Sequence, residues 1–235
     1  MHFELQNVSV TFDSILALNN ISVQIPARSI LLITGSTGSG KTTLLRLLYA
    51  DVLPTEGTLF INGVHATSLS RRRIQQLRRS MGICFQDVRL LDELTVFDNI
   101  YLTLLVRKFT STNARNRTLD VLVRFGISYI REKFPSECSM GERHLVGIAR
   151  AVASEPACII ADEPTGNLDV DTTSLVAREL RKEYERGATI IVATHDPFFA
   201  AHLPATHRIA LFEGCYVSPN PSAVMQEELS NSQTI

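Results

Sequence analysis

The stretch from Ser29 to Ala50, SILLITGSTGSGKTTLLRLLYA, leaves a chain few ways to fold. Ile30 to Ile33 is a short apolar run that reads as a buried strand. A glycine-rich turn, Gly35 to Gly40, follows, and Lys41-Thr42 then opens an apolar segment that reads as a helix. Gly35, Gly40, Lys41 and Thr42 fill the pattern G-x-x-x-x-G-K-[ST] in a strand–loop–helix context. The spacing has a chemical reason. Glycines let the backbone of Gly35, Ser36, Thr37, Gly38, Ser39 and Gly40 turn successive N–H groups into one concavity, which binds phosphate oxygens. The helix N-terminus at Lys41, Thr42 and Thr43 adds favourable dipole charge. Lys41 suits the β- and γ-phosphates of a nucleotide, and the Thr42 hydroxyl suits magnesium.

The rest of the chain is read around that loop. Phe3 to Phe12 and Ile21 to Ile25 read as strands, the second stopped by Pro26. Pro54-Thr55-Glu56-Gly57 is a turn signal ahead of a strand, Thr58 to Ile61, and the turn Asn62-Gly63. Ser70 to Ser80 holds five arginines and reads as a solvated helix face. Met81 to Phe85 reads as a strand ending at Gln86. From Asp87 to Pro156 the pattern is helical. Thr95 to Asp98 resembles a capping box, with Val96, Ile100 and Leu104 along one face. Lys108 to Asn116 reads as a loop, and Leu119, Leu122, Val123 and Phe125 as a helix stopped by Gly126. Strand character returns at Ala157–Ala161, Thr189–Ala193 and Arg208–Phe212, with a helix through Val176, Leu180 and Tyr184 between the first two.

This alternation predicts an α/β fold: a mostly parallel sheet with helices on both faces, an antiparallel β front end and a helical insertion. The expected division is a core of residues 1–86 and 157–217, a helical subdomain at 87–156 and a flexible tail at 218–235. A net charge of −1 makes no case for nucleic-acid binding. Four dispersed cysteines suggest neither a zinc site nor a disulfide framework and suit a reducing cytoplasm. No apolar run has the length of a membrane span, so contact with a membrane is expected to go through a partner.

Further chemistry sits at strand ends. Cys158 to Ala161 delivers Asp162 and Glu163 to the carboxyl end of a strand, where open α/β sheets bind ligands. Asp162 can help hold magnesium. Glu163 can orient and deprotonate a water for attack on a γ-phosphate. Gln86 and His195 end two other apolar runs. His195 can contact the γ-phosphate and the attacking water, and Gln86 can sense the phosphate through water or magnesium.

In that order these motifs resemble the nucleotide-binding ATPase subunits of ATP-binding cassette (ABC) systems, along nearly the whole chain. The resemblance implies a RecA-like P-loop NTPase core that binds ATP and Mg2+. It implies Phe12 as the aromatic against adenine, an Asp169 loop, and a signature segment at Cys138-Ser139-Met140-Gly141-Glu142. It also implies a head-to-tail dimer of two copies, in which Ser139 and Gly141 of one copy meet the ATP of the other. LRRSMGICFQD, LLDELTVFDNI and ADEPTGNLD resemble the cell-division branch of the family, the FtsE group. That branch implies a polytopic FtsX-like membrane subunit, control of cell-wall hydrolases, and a place at the cytoplasmic face of the inner membrane. Thr165 to Asp169 also occurs in lipoprotein-releasing and macrolide-export ATPases, which are the alternative, as is a slow ATP-gated scaffold. An Asn-Lys-x-Asp guanine motif is absent from the sequence, which disfavours a GTPase.

The signature departs from the family's usual Leu-Ser-Gly-Gly-Gln or Leu-Ser-Gly-Gly-Glu, because Met140 stands where the first glycine is usual. Arg143-His144-Leu145 likewise replaces the usual Gln-Gln-Arg. Met140 adds bulk where close backbone approach is wanted.

Overall fold

A computed structural model describes residues 1–217. Two sheets form it. In chain order, β1 (Phe3–Phe12), β2 (Ile15–Ile25) and β3 (Ile30–Thr34) lead to α1 (Lys41–Leu48), and β4 (Glu56–Ile61), β5 (Val64–His65), α2 (Arg71–Arg79) and β6 (Met81–Cys84) follow. Three longer helices come next: α3 (Val96–Val106), α4 (Ser111–Arg124) and α5 (Met140–Val152). The chain returns through β7 (Cys158–Asp162), α6 (Val170–Glu185), β8 (Thr189–Ala193), α7 (Pro197–His202), β9 (His207–Phe212) and β10 (Cys215–Val217).

The first sheet is antiparallel, in the order β2-β1-β4-β5, and the second runs β10-β9-β3-β8-β7-β6. Within the second, β9, β3, β8, β7 and β6 are parallel, and β10 pairs antiparallel to β9. Its central strands are buried on both faces, which is why they read as unbroken apolar runs. Alternate residues go to opposite sides. Ile30, Leu32, Ile190 and Val192 pack with α3, α4, α5 and α6. Leu31, Ile33, Ile191 and Ala193 pack with α1 and the antiparallel sheet. The parallel register puts the carboxyl ends of β3, β8, β7 and β6 side by side, and that edge positions the site.

Several local expectations are corrected. β2 starts at Ile15 rather than Ile21. Its pairing with β1 shifts register three times, and Ile15 and Leu16 are exposed, so its first half lacks a clean alternation. Glu56-Gly57 belongs to β4 rather than to a turn. The loop expected at 108–116 shortens, because Thr110 caps α4 by accepting from the Asn113 N–H at 3.3 Å. The early turns of α4 are polar because most of their side chains face solvent, while Ala114, Thr118, Val121 and Leu122 are buried. Val123 points outward, leaving the core position to Val121. Arg78 is not only solvated. Its guanidinium donates to the Tyr49 and Ala50 carbonyls at 3.0 and 2.9 Å, satisfying the C-terminal end of α1. β5, α7 and β10 were not anticipated. The expected tail at 218–235 lies outside the described residues.

Candidate nucleotide site

The phosphate loop leaves β3 at Gly35 and enters α1 at Gly40. Both glycines are required by close approach as well as by backbone. A Cβ on Gly35, at φ 148°, would meet the Leu211 carbonyl oxygen at 2.3 Å, and one on Gly40, at φ 99°, would meet that of Ala17 at 2.7 Å. Gly40 is the N-cap of α1 and offers no side chain, so the first N–H groups of α1 have no capping partner. The buried Lys41 ammonium folds back onto the loop, donating to the carbonyls of Gly35 at 2.8 Å and Ser36 at 3.0 Å. It also lies 3.8 Å from a Glu163 carboxylate oxygen.

The end of β7 closes the other side. Thr42 Oγ1 donates to Asp162 Oδ2 at 2.7 Å. Asp162 Oδ1 is buried with no hydrogen-bond partner. Burial foremost, with Glu163 also contributing, pushes the Asp162 carboxyl above the usual carboxylate range, against the Thr42 hydrogen bond and the Lys41 charge. A divalent cation beside Thr42 would supply what the orphaned oxygen lacks. Among the described residues no three His, Cys, Asp or Glu side chains converge as a metal cage. The donor set therefore fits magnesium held by one carboxylate, one hydroxyl and phosphate oxygens.

Glu163 sits in the left-handed backbone region at φ 46°. Its carboxylate accepts twice from His195, through the backbone N–H at 3.2 Å and through Nδ1 at 2.7 Å. A carboxylate only accepts, so Nδ1 carries the proton and Nε2 is the nitrogen left to face a ligand. The His195 side chain is two-thirds exposed, whereas Glu163 is buried. The Glu163 carboxylate is thus fixed on one side by His195, while its residue also lines the cleft beside the phosphate loop.

A cleft of about 280 Å³ is lined by Thr37, Gly38, Gly40, Lys41, Thr42 and Thr43 of the loop and by Gln86, Asp162, Glu163 and His195. The structure thus brings together side chains from four adjacent strand ends. Other predicted residues sit elsewhere. The Phe12 ring is partly exposed and packs under the Arg46 guanidinium, 5.7 Å from ring centroid to Cζ. The residues its hairpin contributes to the cleft are Ile15, Leu16 and Ala17. Asp169 caps α6, accepting from the Thr172 N–H at 2.7 Å, and that bond holds its carboxyl below the usual range. Ser139 caps α5 and does not line the cleft of its own chain. Gly141 packs on the Asp169 loop, where a Cβ would meet the Asn167 carbonyl oxygen at 3.3 Å. Met140 is half exposed and borders a second cleft of about 780 Å³, shared with Gln86, Arg143, His144, Glu163 and His195.

Sequence reasoning missed two arrangements. It placed His195 on the phosphate, not on Glu163, because the bond spans two strands that are neighbours only in the sheet. It noticed His144 as a departure without finding its partner, the Gln86 carbonyl. The unusual residue at that position was the only signal available.

A parallel sheet with a phosphate loop, an acidic strand end and a histidine at the next strand defines a nucleoside-triphosphate hydrolase. The sequence profile of the ABC transporter family matches residues 18–166. The chain is 38% identical over 180 residues to the cell division ATP-binding protein FtsE of Bacillus subtilis, covering 77% of this chain and 79% of the relative. It is 40% identical over 186 residues to the lipoprotein-releasing system ATP-binding protein LolD of Bordetella pertussis, covering 78% and 80%. A solved dimeric, post-hydrolysis structure of the ATP-binding cassette MJ0796 bound to ADP and Pi superposes with a TM-score of 0.86 at 30% identity, covering 92% of this chain and 97% of that one. The chain belongs to the ABC transporter family. It is an ATP-binding, ATP-hydrolysing subunit of the kind that serves transporter-type complexes. Among the described residues no helix is long and apolar enough to cross a membrane.

Proposed function

We propose that hydrolysis is carried by Glu163, with His195 holding its carboxylate and Gln86 facing the same cleft. The observation that carries this is the double hydrogen bond from His195 to Glu163 beside the phosphate loop. The loop N–H groups and the Lys41 ammonium bind the β- and γ-phosphates once Lys41 exchanges the Gly35 and Ser36 carbonyls for phosphate oxygens. Glu163 accepts the proton of the attacking water, and ATP and water become ADP and phosphate. Magnesium would be held by Thr42 and Asp162, with Gln86 beside it, and would supply charge neutralisation to the phosphate oxygens. Most of the catalysis is positioning and electrostatics. Phe12 at the rim is the proposed adenine contact, with Arg46 stacked behind it.

The active unit is proposed to be a head-to-tail pair. The phosphate-loop cleft of one copy faces Ser139 and Gly141 of the other, because these residues are exposed or partly exposed and lie off the cleft of their own chain. The Asp169 loop lies at the same seam. The core is residues 1–86 and 157–217, with 87–156 as the helical part that carries the signature. The partner is a polytopic membrane subunit, and the FtsX-like type is favoured by the motif segments shared with the cell-division branch. With such a partner the chain would work peripherally at the cytoplasmic face of the membrane. A lipoprotein-release role is the second reading, favoured by the 40% identity to LolD.

Glu163→Gln tests the base. Phosphate release is expected to fall by about 100-fold or more while ATP still binds, since a positioned base contributes roughly 10²–10⁴-fold. Unchanged turnover in that variant would remove Glu163 from the role. Copurification with an FtsX-like or a LolD-type membrane subunit separates the two biological readings.

A further inference from the structure

After Gln86 the backbone takes two consecutive left-handed residues, Val88 at φ 58° and Arg89 at φ 48°. A β-branched residue rarely adopts that conformation, and it persists only where neighbours over-determine it. The neighbours here lie on one face of α5, at positions 144, 147 and 150. Arg150 donates to the Val88 carbonyl at 2.6 Å and to the Arg89 carbonyl at 2.7 Å. Gly147 lets Val88 close in, since a Cβ there would meet Val88 Cγ1 at 2.7 Å.

His144 makes the third contact and the one nearest Gln86. It is 4% exposed, and its Nε2 lies 3.3 Å from the Gln86 carbonyl oxygen. A carbonyl only accepts, so Nε2 carries the proton. Nδ1 is then a buried lone pair without a partner. A side chain needed only to fill space would not carry an unpaired polar atom, so the single donated bond is the distinguishing property of this residue. The ring also lies beside the loop after Glu163, where a Cβ added at Gly166 would come within 3.7 Å of His144 Cε1. His144 therefore bonds the Gln86 loop and lines one cleft with Glu163, Gly166 and Asn167, from the helix that starts at Ser139.

We propose that His144 is a positioning residue: its hydrogen bond to the Gln86 carbonyl makes the Gln86 loop move with α5, so that a ligand meeting the Ser139 end of that helix sets the place of Gln86 in the cleft. Arg150 and Gly147 complete the grip. The proposal rests on the reading of Gln86 as part of the hydrolytic site.

The test compares His144→Leu, which keeps volume and removes the donor, with His144→Gln, whose amide N–H can reach the same carbonyl, in the full chain. Two readouts are taken: hydrogen exchange of the amides of residues 88–91, and steady-state ATP turnover. His144→Leu is expected to speed that exchange at least tenfold and to lower kcat at least fivefold, with KM for ATP within twofold. His144→Gln is expected to return both to within twofold of the parent. Unchanged exchange in His144→Leu overturns the proposal, as does a His144→Gln variant that folds normally yet behaves like His144→Leu. Should His144→Leu not fold, His144→Asn, whose shorter amide falls away from the carbonyl, takes its place with the same expected and overturning results. Gln86→Ala is measured alongside. If it leaves kcat unchanged, the reading of Gln86 fails, while the exchange comparison still decides whether His144 holds the loop.

Discussion

Helices α1 and α5 both start where an anion is expected, and they start in opposite ways. α1 begins behind Gly40, which has no side chain to cap it, so its first N–H groups face the cleft unpaired. α5 begins behind Ser139, whose hydroxyl accepts from the Glu142 N–H at 3.2 Å while the Glu142 carboxylate accepts from the Ser139 N–H at 2.6 Å. That reciprocal cap satisfies donors internally. The Ser139 N–H first, and Tyr129 second, hold the Glu142 carboxyl below the usual glutamate range, so a negative charge stands at this N-terminus. The α1 start therefore leaves its donors free for a ligand of its own chain, as the proposed phosphate site requires. The α5 start is self-sufficient and presents only what it does not use itself: the N–H groups of Met140 and Gly141 and the second lone pair of the Ser139 hydroxyl. In the proposed head-to-tail pair, one helix start binds phosphate by itself and the other joins a site only against a second copy.

The contrast is easiest to break at Lys41. Lys41→Ala is expected to weaken ATP binding by about 100-fold or more, because hydrogen bonds to charged groups contribute roughly 1.5–3 kcal/mol each and the ammonium is proposed to exchange its two loop-carbonyl bonds for bonds to phosphate oxygens. Nucleotide titration of the isolated chain reads it, and near-normal affinity would mean that α1 and its loop suffice without the lysine. Ser139→Ala should act differently. It is expected to lower stability by about 1 kcal/mol through loss of the cap and turnover by about tenfold, while ATP affinity of the single chain stays unchanged. A loss of affinity like that of Lys41→Ala would erase the distinction between the two helix starts. The smallest effect is expected from Met140→Gly, since the side chain is half exposed and its sulfur accepts from the Arg143 guanidinium at 3.7 Å. ATP turnover should stay level or rise up to about threefold, with stability falling by less than about 1 kcal/mol. A large loss of turnover would show that Met140 itself forms a working contact, and the α5 start would then be more specialised than its capping geometry suggests.

Some of this was legible in the chain. Ile30–Ile33, Cys158–Ala161 and Thr189–Ala193 are buried on both faces, so their apolar runs marked parallel strands to within a residue. The phosphate loop was legible because its glycines answer to local backbone geometry. Polar stretches misled where a helix presents its early turns to water, as in α4, and irregular pairing hid the first half of β2. Arg78 looked like one more surface charge because its partners, the Tyr49 and Ala50 carbonyls, lie some thirty residues upstream.

The sequence by itself determined the strand–loop–helix of Gly35 to Thr43, the acids at the end of β7 and the family to which the chain belongs. These are short-range patterns, each readable from neighbours in the chain. Tertiary structure alone decided that Thr42 meets Asp162, that His195 clasps Glu163 and that His144 holds the Gln86 carbonyl. Those bonds span 120, 32 and 58 positions of chain. Only the parallel register of β3, β8, β7 and β6, together with the packing of α5 beside them, brings their partners within reach.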